Sequence, residues 1–190
     1  MTAAQEKTAK KKERFTKEQW IETALEHLSK TGGAKIHIER LAEKLGVTKG
    51  SFYWHFESRA DFVETVLDYW HQKETEDVIT HMQAQNFSNV KEALQALVNY
   101  LLDNNLIANE VPVRSWAVQE SRVADRVQKT DAIRKRFIMD QLIAEGHDQA
   151  KAEYFASVFT AYVCGNGFVL PRASRQEIQE RTSWLIQELL

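Results

Sequence analysis

Apolar side chains recur along this chain at the spacing of one helix face. Ile21, Ala24, Leu25 and Leu28 fall at i, i+3, i+4 and i+7, with Thr16 as N-cap, which predicts a helix from about 17 to 30 stopped by Gly32-Gly33. Ile38, Leu41, Ala42 and Leu45 repeat the pattern up to Gly46, and Thr48 caps a short third helix, about 49–55, with Phe52 and Phe56 inward. Ser58 opens a longer helix whose stripe is Phe62, Val63, Val66, Leu67 and Trp70, predicted to run to about Met82. Val90, Leu94, Leu97, Val98 and Leu101 form another face, and Pro112 is expected to start the helix carrying Trp116. A charged helix follows, with an inner face at Val127, Ile133, Phe137 and Leu142. Residues 150–170 are apolar nearly all round, so that helix must be buried on most sides, and Ile178, Leu185, Ile186 and Leu189 form the last face.

Composition agrees with an all-α protein. The 190 residues include only seven Gly and two Pro, too few turn formers for an all-β fold, and 43% are apolar, too many for a disordered chain. No apolar run reaches the ~18 residues of a membrane span, and the Lys-rich N-terminus lacks the apolar stretch of a secretory signal, so a cytoplasmic protein is expected. A single cysteine, Cys164, excludes an internal disulfide and a cysteine-based zinc site. Phosphate-cradling loops, nucleophile elbows and His-Glu-x-x-His are absent, so no enzyme and no cofactor is expected.

Charge changes the picture once the chain is divided. Residues 1–60 hold 12 Lys/Arg against 8 Asp/Glu, net +4, and the remainder holds 13 against 19, net −6. Lys7, Lys10, Lys11, Lys12, Arg14 and Lys17 face only Glu6 and Glu13. Residues 1–13 read as a basic disordered arm, either a solvated tail or an arm that meets phosphates.

The run Ile38 to Phe56 has the mechanics of a helix-turn-helix. Helices crossing at roughly a right angle need a small residue where they touch, which Ala42 supplies, and the turn needs a left-handed residue, which Gly46 supplies. An ordinary helical hairpin shares that much. The upstream basic residues, and Lys49, Ser51, Tyr53, Trp54 and His55 crowded on so short a helix, favour a surface that meets phosphates and base edges.

Gly32, then Ile38-x-x-Leu-Ala-x-x-Leu-Gly-Val-Thr-Lys-Gly-Ser-Phe-Tyr-Trp-His-Phe56, then Ser58-Arg59-x-x-Phe62 resembles the DNA-binding domain of the TetR (tetracycline-repressor) family, over residues 14–70. The resemblance implies a division into residues 14–60, a three-helix helix-turn-helix DNA-binding domain, and residues 61–190, a helical ligand-binding and dimerisation domain. It implies that Thr48, Tyr53, His55 and Arg59 bind phosphates, that Lys49, Gly50 and Ser51 face base edges, and that Trp54 packs on the sugar-phosphate backbone. His37 stands where the family usually has a phosphate-binding Thr, and Glu39 where some members read bases with a cation.

It further implies a homodimer through the last two helices, double-stranded palindromic DNA as partner, and a small effector. Expected pocket residues are Trp70, Leu94, Val98, Leu101, Trp116, Phe137, Phe155, Phe159 and Tyr162, a set suited to an apolar or aromatic effector. Gly165 and Gly167 either permit close helix approach in the dimer or mark a kink. His71, Glu74, Asp77 and His81 share a helix at i,i+3 and i,i+4 spacings, and read as a polar face rather than a metal site. Cys164 reads as a small buried hydrophobe, with a pocket or redox role as the alternative. The whole is read as a repressor released by its effector. The alternative is a helical ligand-binding or interaction protein without a specific DNA site.

Overall fold

The computed structural model describes residues 15–33, 35–171 and 173–190, so the arm expected over residues 1–13 lies outside the described residues. Helix α1 (Lys17–Thr31) starts at a capping box, in which Thr16 accepts from the Gln19 N–H and the Gln19 side chain accepts from the Thr16 N–H. It ends where Gly32 turns left-handed. Helix α2 (Ile38–Lys44) passes through Gly46, φ 67°, and the Val47 N–H bonds the Ala42 carbonyl at 2.9 Å, which closes the turn into α3 (Lys49–Phe52). Thr48 takes the extended N-cap backbone, but its side chain makes no capping bond. Helix α3 is a single turn, shorter than predicted, and Phe52 and Phe56 still point inward.

Ser58 caps α4 (Arg59–His71) by accepting from the Asp61 N–H. The run continues to α5 (Asp77–Gln83), near the predicted end, but passes through a π turn at Gln72–Glu76. Helix α6 (Val90–Asp103) is capped by Asn89, and α7 (Leu106–Ala117) begins at Asn105, the only non-glycine residue with positive φ among the described residues. Pro112 lies inside α7 rather than at its start. An interior proline costs a helix ~3 kcal/mol; here it lies on the buried side of α7 with Ile107, Glu110, Val113 and Trp116, and burial of that side offsets the local penalty. Helices α8 (Ser121–Ala144), α9 (Gln149–Val169) and α10 (Arg175–Leu189) complete the chain. The inner face of α8 is Val123, Val127, Thr130, Ile138 and Leu142; Ile133, expected there, is exposed because the face follows those residues instead.

Two cores result. The first joins α1–α4 and extends beyond residue 60 to Trp70, Val113, Trp116, Val123 and Val127. The second joins α5–α10, where α7, α8 and α9 pack on one another and α6 pairs with α10. A seam of polar contacts binds the two. A Cβ on Gly33 (φ 83°) would lie 2.4 Å from Ser115 Cβ and 2.6 Å from the Pro112 carbonyl oxygen, so only glycine allows α1 to end against α7. Beside it the Gln119 amide donates to the Gly33 carbonyl at 3.1 Å. No helix among the described residues is long and apolar enough to cross a membrane.

Candidate nucleic-acid interface and a charged cavity

The turn at Gly46 aims α3 outward on a base of packed rings. Phe52 meets Trp20, Tyr53 and Phe62 edge-on at 5.2–5.4 Å, and Phe56 meets Phe62 at 4.6 Å. With its inner side so fixed, α3 presents Thr48, Lys49, Gly50, Tyr53 and Trp54 exposed, and Ser51 and His55 half-buried at the same end. Trp54 is 83% exposed, although the interior takes other tryptophans fully. Lys49 forms an ion pair with Glu39 at 2.6 Å. A hydrogen bond from Lys49 holds the Glu39 carboxyl below its ordinary range, so the pair neutralises the cation at the start of α3.

Arg59 stands apart from that group. Its guanidinium forks onto Glu120 at 2.9 and 3.2 Å, and its Nε donates to the Ile36 carbonyl at 3.4 Å. Glu120 also accepts from the Trp116 indole at 3.2 Å. The Arg59 donors that the resemblance assigns to phosphate are therefore engaged in the seam.

The second core holds a partly open cavity of about 60 Å³. Leu101, Phe137 and Phe159, named above for an effector pocket, line this cavity together with Val78, Ile107 and Val163. Trp70, Leu94, Val98, Trp116, Phe155 and Tyr162 do not line it. Trp70 and Trp116 are drawn into the first core, while Leu94 lies on a separate hollow near Phe87. In their place the wall carries Glu74, Glu110, Arg134, Thr160 and Cys164. Arg134 donates to Glu110 at 2.7 Å and to Thr75 Oγ1 at 2.8 Å, and its Nη2 bonds the Glu74 carbonyl in the π turn at 3.2 Å. Cys164 lies 3.4 Å from Arg134 Nη1, and burial first, then the Glu110 charge, pushes its thiol up to about 11, so it stays protonated.

The four residues weighed as a metal set disperse along their helices. His71 bonds Thr130 at 3.0 Å and Glu76 at 3.1 Å, Asp77 pairs with Lys73, and His81 stacks on Tyr100 at 4.1 Å. Glu74 alone turns into the cavity.

The family model for bacterial regulatory proteins of the tetR family matches residues 21–66, which spans α1 to the middle of α4. The match is to the helix-turn-helix segment, about a quarter of this chain. A curated relative, the HTH-type transcriptional regulator TtgR of Pseudomonas putida, is 40% identical over 57 residues, 30% of this chain and 27% of that protein. SrpR of Pseudomonas putida, also an HTH-type transcriptional regulator, is 36% identical over 52 residues, 27% of this chain and 24% of its own length. The aligned segment is thus about a quarter of each relative. The fold match is longer. A TetR transcriptional regulator from Legionella pneumophila superposes with TM-score 0.77 at 16% identity, over 93% of this chain and 97% of its own. A putative TetR-family regulator from Rhodococcus sp. gives 0.75 at 19% identity, over 91% and 97%. The TetR-type fold therefore takes in nearly the whole chain, while sequence likeness to these curated relatives spans only 52–57 residues.

Sequence reasoning missed the charged wall of this TetR-type cavity. Glu110–Arg114 is an i,i+4 pair and Asp131–Arg134 an i,i+3 pair, patterns that ordinarily mark a solvated face. The signal that could have found them is the row of apolar neighbours: Ile107 and Val113 around Glu110, Val127 and Ile138 around the two α8 residues.

Proposed function

We propose that this protein is a sequence-specific DNA-binding transcriptional regulator, acting as a homodimeric repressor of a palindromic operator in the cytoplasm and released by a small effector. The observation that carries the reading is α3: a one-turn helix locked by an aromatic base, offering Lys49, Tyr53 and Trp54 to solvent. In this reading Lys49, Gly50 and Ser51 face base edges, Thr48, Tyr53 and His55 hold phosphates, and Trp54 packs on the backbone. Arg59 is assigned to the seam. Residues 14–60 bind DNA, and residues 61–190 hold the effector and the dimer contact.

The dimer rests on α9. Tyr154, Val158, Ala161, Gly165 and Phe168 are spaced 4, 3, 4 and 3 residues apart, one stripe of small and apolar side chains open to solvent in a single chain. Trp184 of α10 is 64% exposed as well. A two-fold partner offering the same stripe would bury both. Gly165 has open space around it, suiting it to a partner's approach, whereas Gly167 packs against Val111 of its own α7.

The test is selection of bound duplexes from a random DNA pool by the full chain at about 0.1 M salt. Enrichment of one inverted repeat is expected, with half-sites separated by about one helical turn. DNA retained without enrichment would sink the sequence-specific reading. It would favour the second one, a ligand-binding helical protein without a specific site, for which the Lys49–Glu39 pair is the supporting observation.

A further inference from the structure

Five carboxylates and guanidiniums cluster at the cavity, and four of them balance. Arg114 forks onto Asp131 at 2.7 and 2.8 Å and gives its Nε to Glu110 at 2.9 Å. Arg134 gives one nitrogen to Glu110, one to Thr75 and one to the Glu74 carbonyl, and its guanidinium lies 5.1 Å over the Trp70 ring. Two cations thus meet two anions, with every guanidinium nitrogen engaged. Glu74 is left over. Its Oε2 is buried and accepts no hydrogen bond among the described residues, and the hydroxyl of Thr160, nine-tenths buried on the same cavity, is likewise unpartnered.

We propose that the cavity is the site of a small apolar amine, a protonated nitrogen on a short hydrocarbon body, with the cation against the Glu74 carboxylate and Thr160 Oγ1 as a second acceptor. This deepens the effector reading above and rests on it. An anionic effector would have to strip Arg134 of bonds that already saturate it. A neutral apolar body would fill the space but leave both oxygens unpartnered, at the desolvation cost of buried polar groups. At roughly 10–15 Å³ per water-sized group, the cavity suits a chain of about five heavy atoms. The π turn is what aims Glu74 inward, and turns of this kind recur at functional sites. It lies on the run that continues directly from α4, so an occupant there touches the element leading to the DNA-binding domain.

The empty site holds its carboxyl protonated. Burial first, then the Glu110 charge, raise Glu74 to about 8, against the pull of Asn109, Arg134 and Trp70. The other charged groups nearby are engaged: Asp131 with Arg114, and His71 with Glu76 and Thr130. Binding of the ammonium therefore expels the Glu74 proton to solvent and leaves a carboxylate–ammonium pair, and no other bond is made or broken.

The probes are n-pentylammonium, 1-pentanol and pentanoate, titrated calorimetrically into the full-length protein at pH 7 in two buffers of different ionisation heat. The amine is expected to bind at least tenfold tighter than the alcohol, with close to one proton released per amine, and pentanoate not to bind. In Glu74→Gln, which keeps the side-chain shape, proton release should vanish and the alcohol should bind at least as well as the amine. Equal or tighter binding of the alcohol or pentanoate, amine binding without proton release, or no binding of any probe at millimolar concentration would overturn the proposal. Were Glu74→Gln not to fold, the wild-type ranking and proton count decide alone. Operator affinity is measured separately. Glu74-dependent amine binding that leaves it unchanged would keep the site and remove its effector role, and release by another compound without amine binding would do the reverse.

Discussion

The two cores of this protein are built from opposite materials. The first is a set of aliphatic side chains around aromatic rings, with Trp20, Phe52, Phe56 and Phe62 in edge-on contacts and Trp70 buried in the same cluster. Every buried polar residue among the described ones lies beyond residue 70: Thr75, Glu110, Thr130, Thr160, Asn166 and Thr182. A close-packed apolar core holds one arrangement and sets α3 at one angle. A core with a cavity and buried charges has interactions that an occupant can rearrange. The molecule thus joins a stiffly mounted α3 to an adjustable interior.

The sharpest way to break this contrast is to open each core. Phe52→Ala should cost about 3–5 kcal/mol, because the ring is fully buried among rings that cannot close over the gap. Glu110→Ala should cost a similar ~3–5 kcal/mol for the opposite reason, since it removes the 2.7 Å partner of the buried Arg134 and leaves only Asp131, at 3.6 Å, to meet that charge. Denaturant unfolding measures both, and a cost below about 1 kcal/mol for either, the range of an ordinary surface change, would erase the distinction. Glu74→Gln removes a carboxyl rather than a partner and should leave the midpoint unchanged or higher at pH 7.

The pH dependence sharpens the same point. The folded Glu74 holds its proton to about 8 while the unfolded chain releases it near 4.5, so stability should fall as pH rises between these values and level off above. The slope is at most about 1.4 kcal/mol per pH unit. His27, lowered chiefly by burial, acts in the opposite sense below its ordinary range, so the quantity to measure is wild type minus Glu74→Gln across pH 5–9. A flat difference would refute the buried protonated carboxyl.

Smaller effects belong to the seam and the surface. Arg59→Ala should cost about 1 kcal/mol in thermal unfolding, because the fork onto Glu120 is partly exposed and screened by solvent. Glu39→Gln should leave stability unchanged and raise affinity for any duplex a few-fold, by freeing Lys49 for DNA. Unaltered DNA affinity would show that the Lys49–Glu39 pair does not restrain the reading surface.

Much of the fold was legible because it is local. Helix faces, the Thr16 and Ser58 caps and the Gly46 turn are written in neighbouring residues, and α1 and α2 begin and end within a few positions of their predicted bounds. The exposed set on α3 was legible for the same reason. What escaped depends on distant partners. The π turn is held by Arg134, about sixty positions away, and Pro112 sits inside α7 because tertiary packing outweighs its local cost. Ile133 looks like core by periodicity and faces outward because α8 turns Thr130 and Ile138 inward instead. Charged pairs at helical spacing carry no mark of burial, so a cavity expected to be apolar proved to hold Glu74, Glu110 and Arg134.

The seam bears on how far the reading head can be transplanted. Gly33 fits only against Ser115 and Pro112, Gln119 answers the Gly33 carbonyl, and Arg59 answers Glu120. Residues 15–70 grafted onto another helical domain would arrive with half a joint, and the Arg59 charge would have nothing to meet. A working hybrid needs the far half carried across too: Pro112, Ser115, Gln119 and Glu120, the short stretch of α7 and its end on which the head is seated.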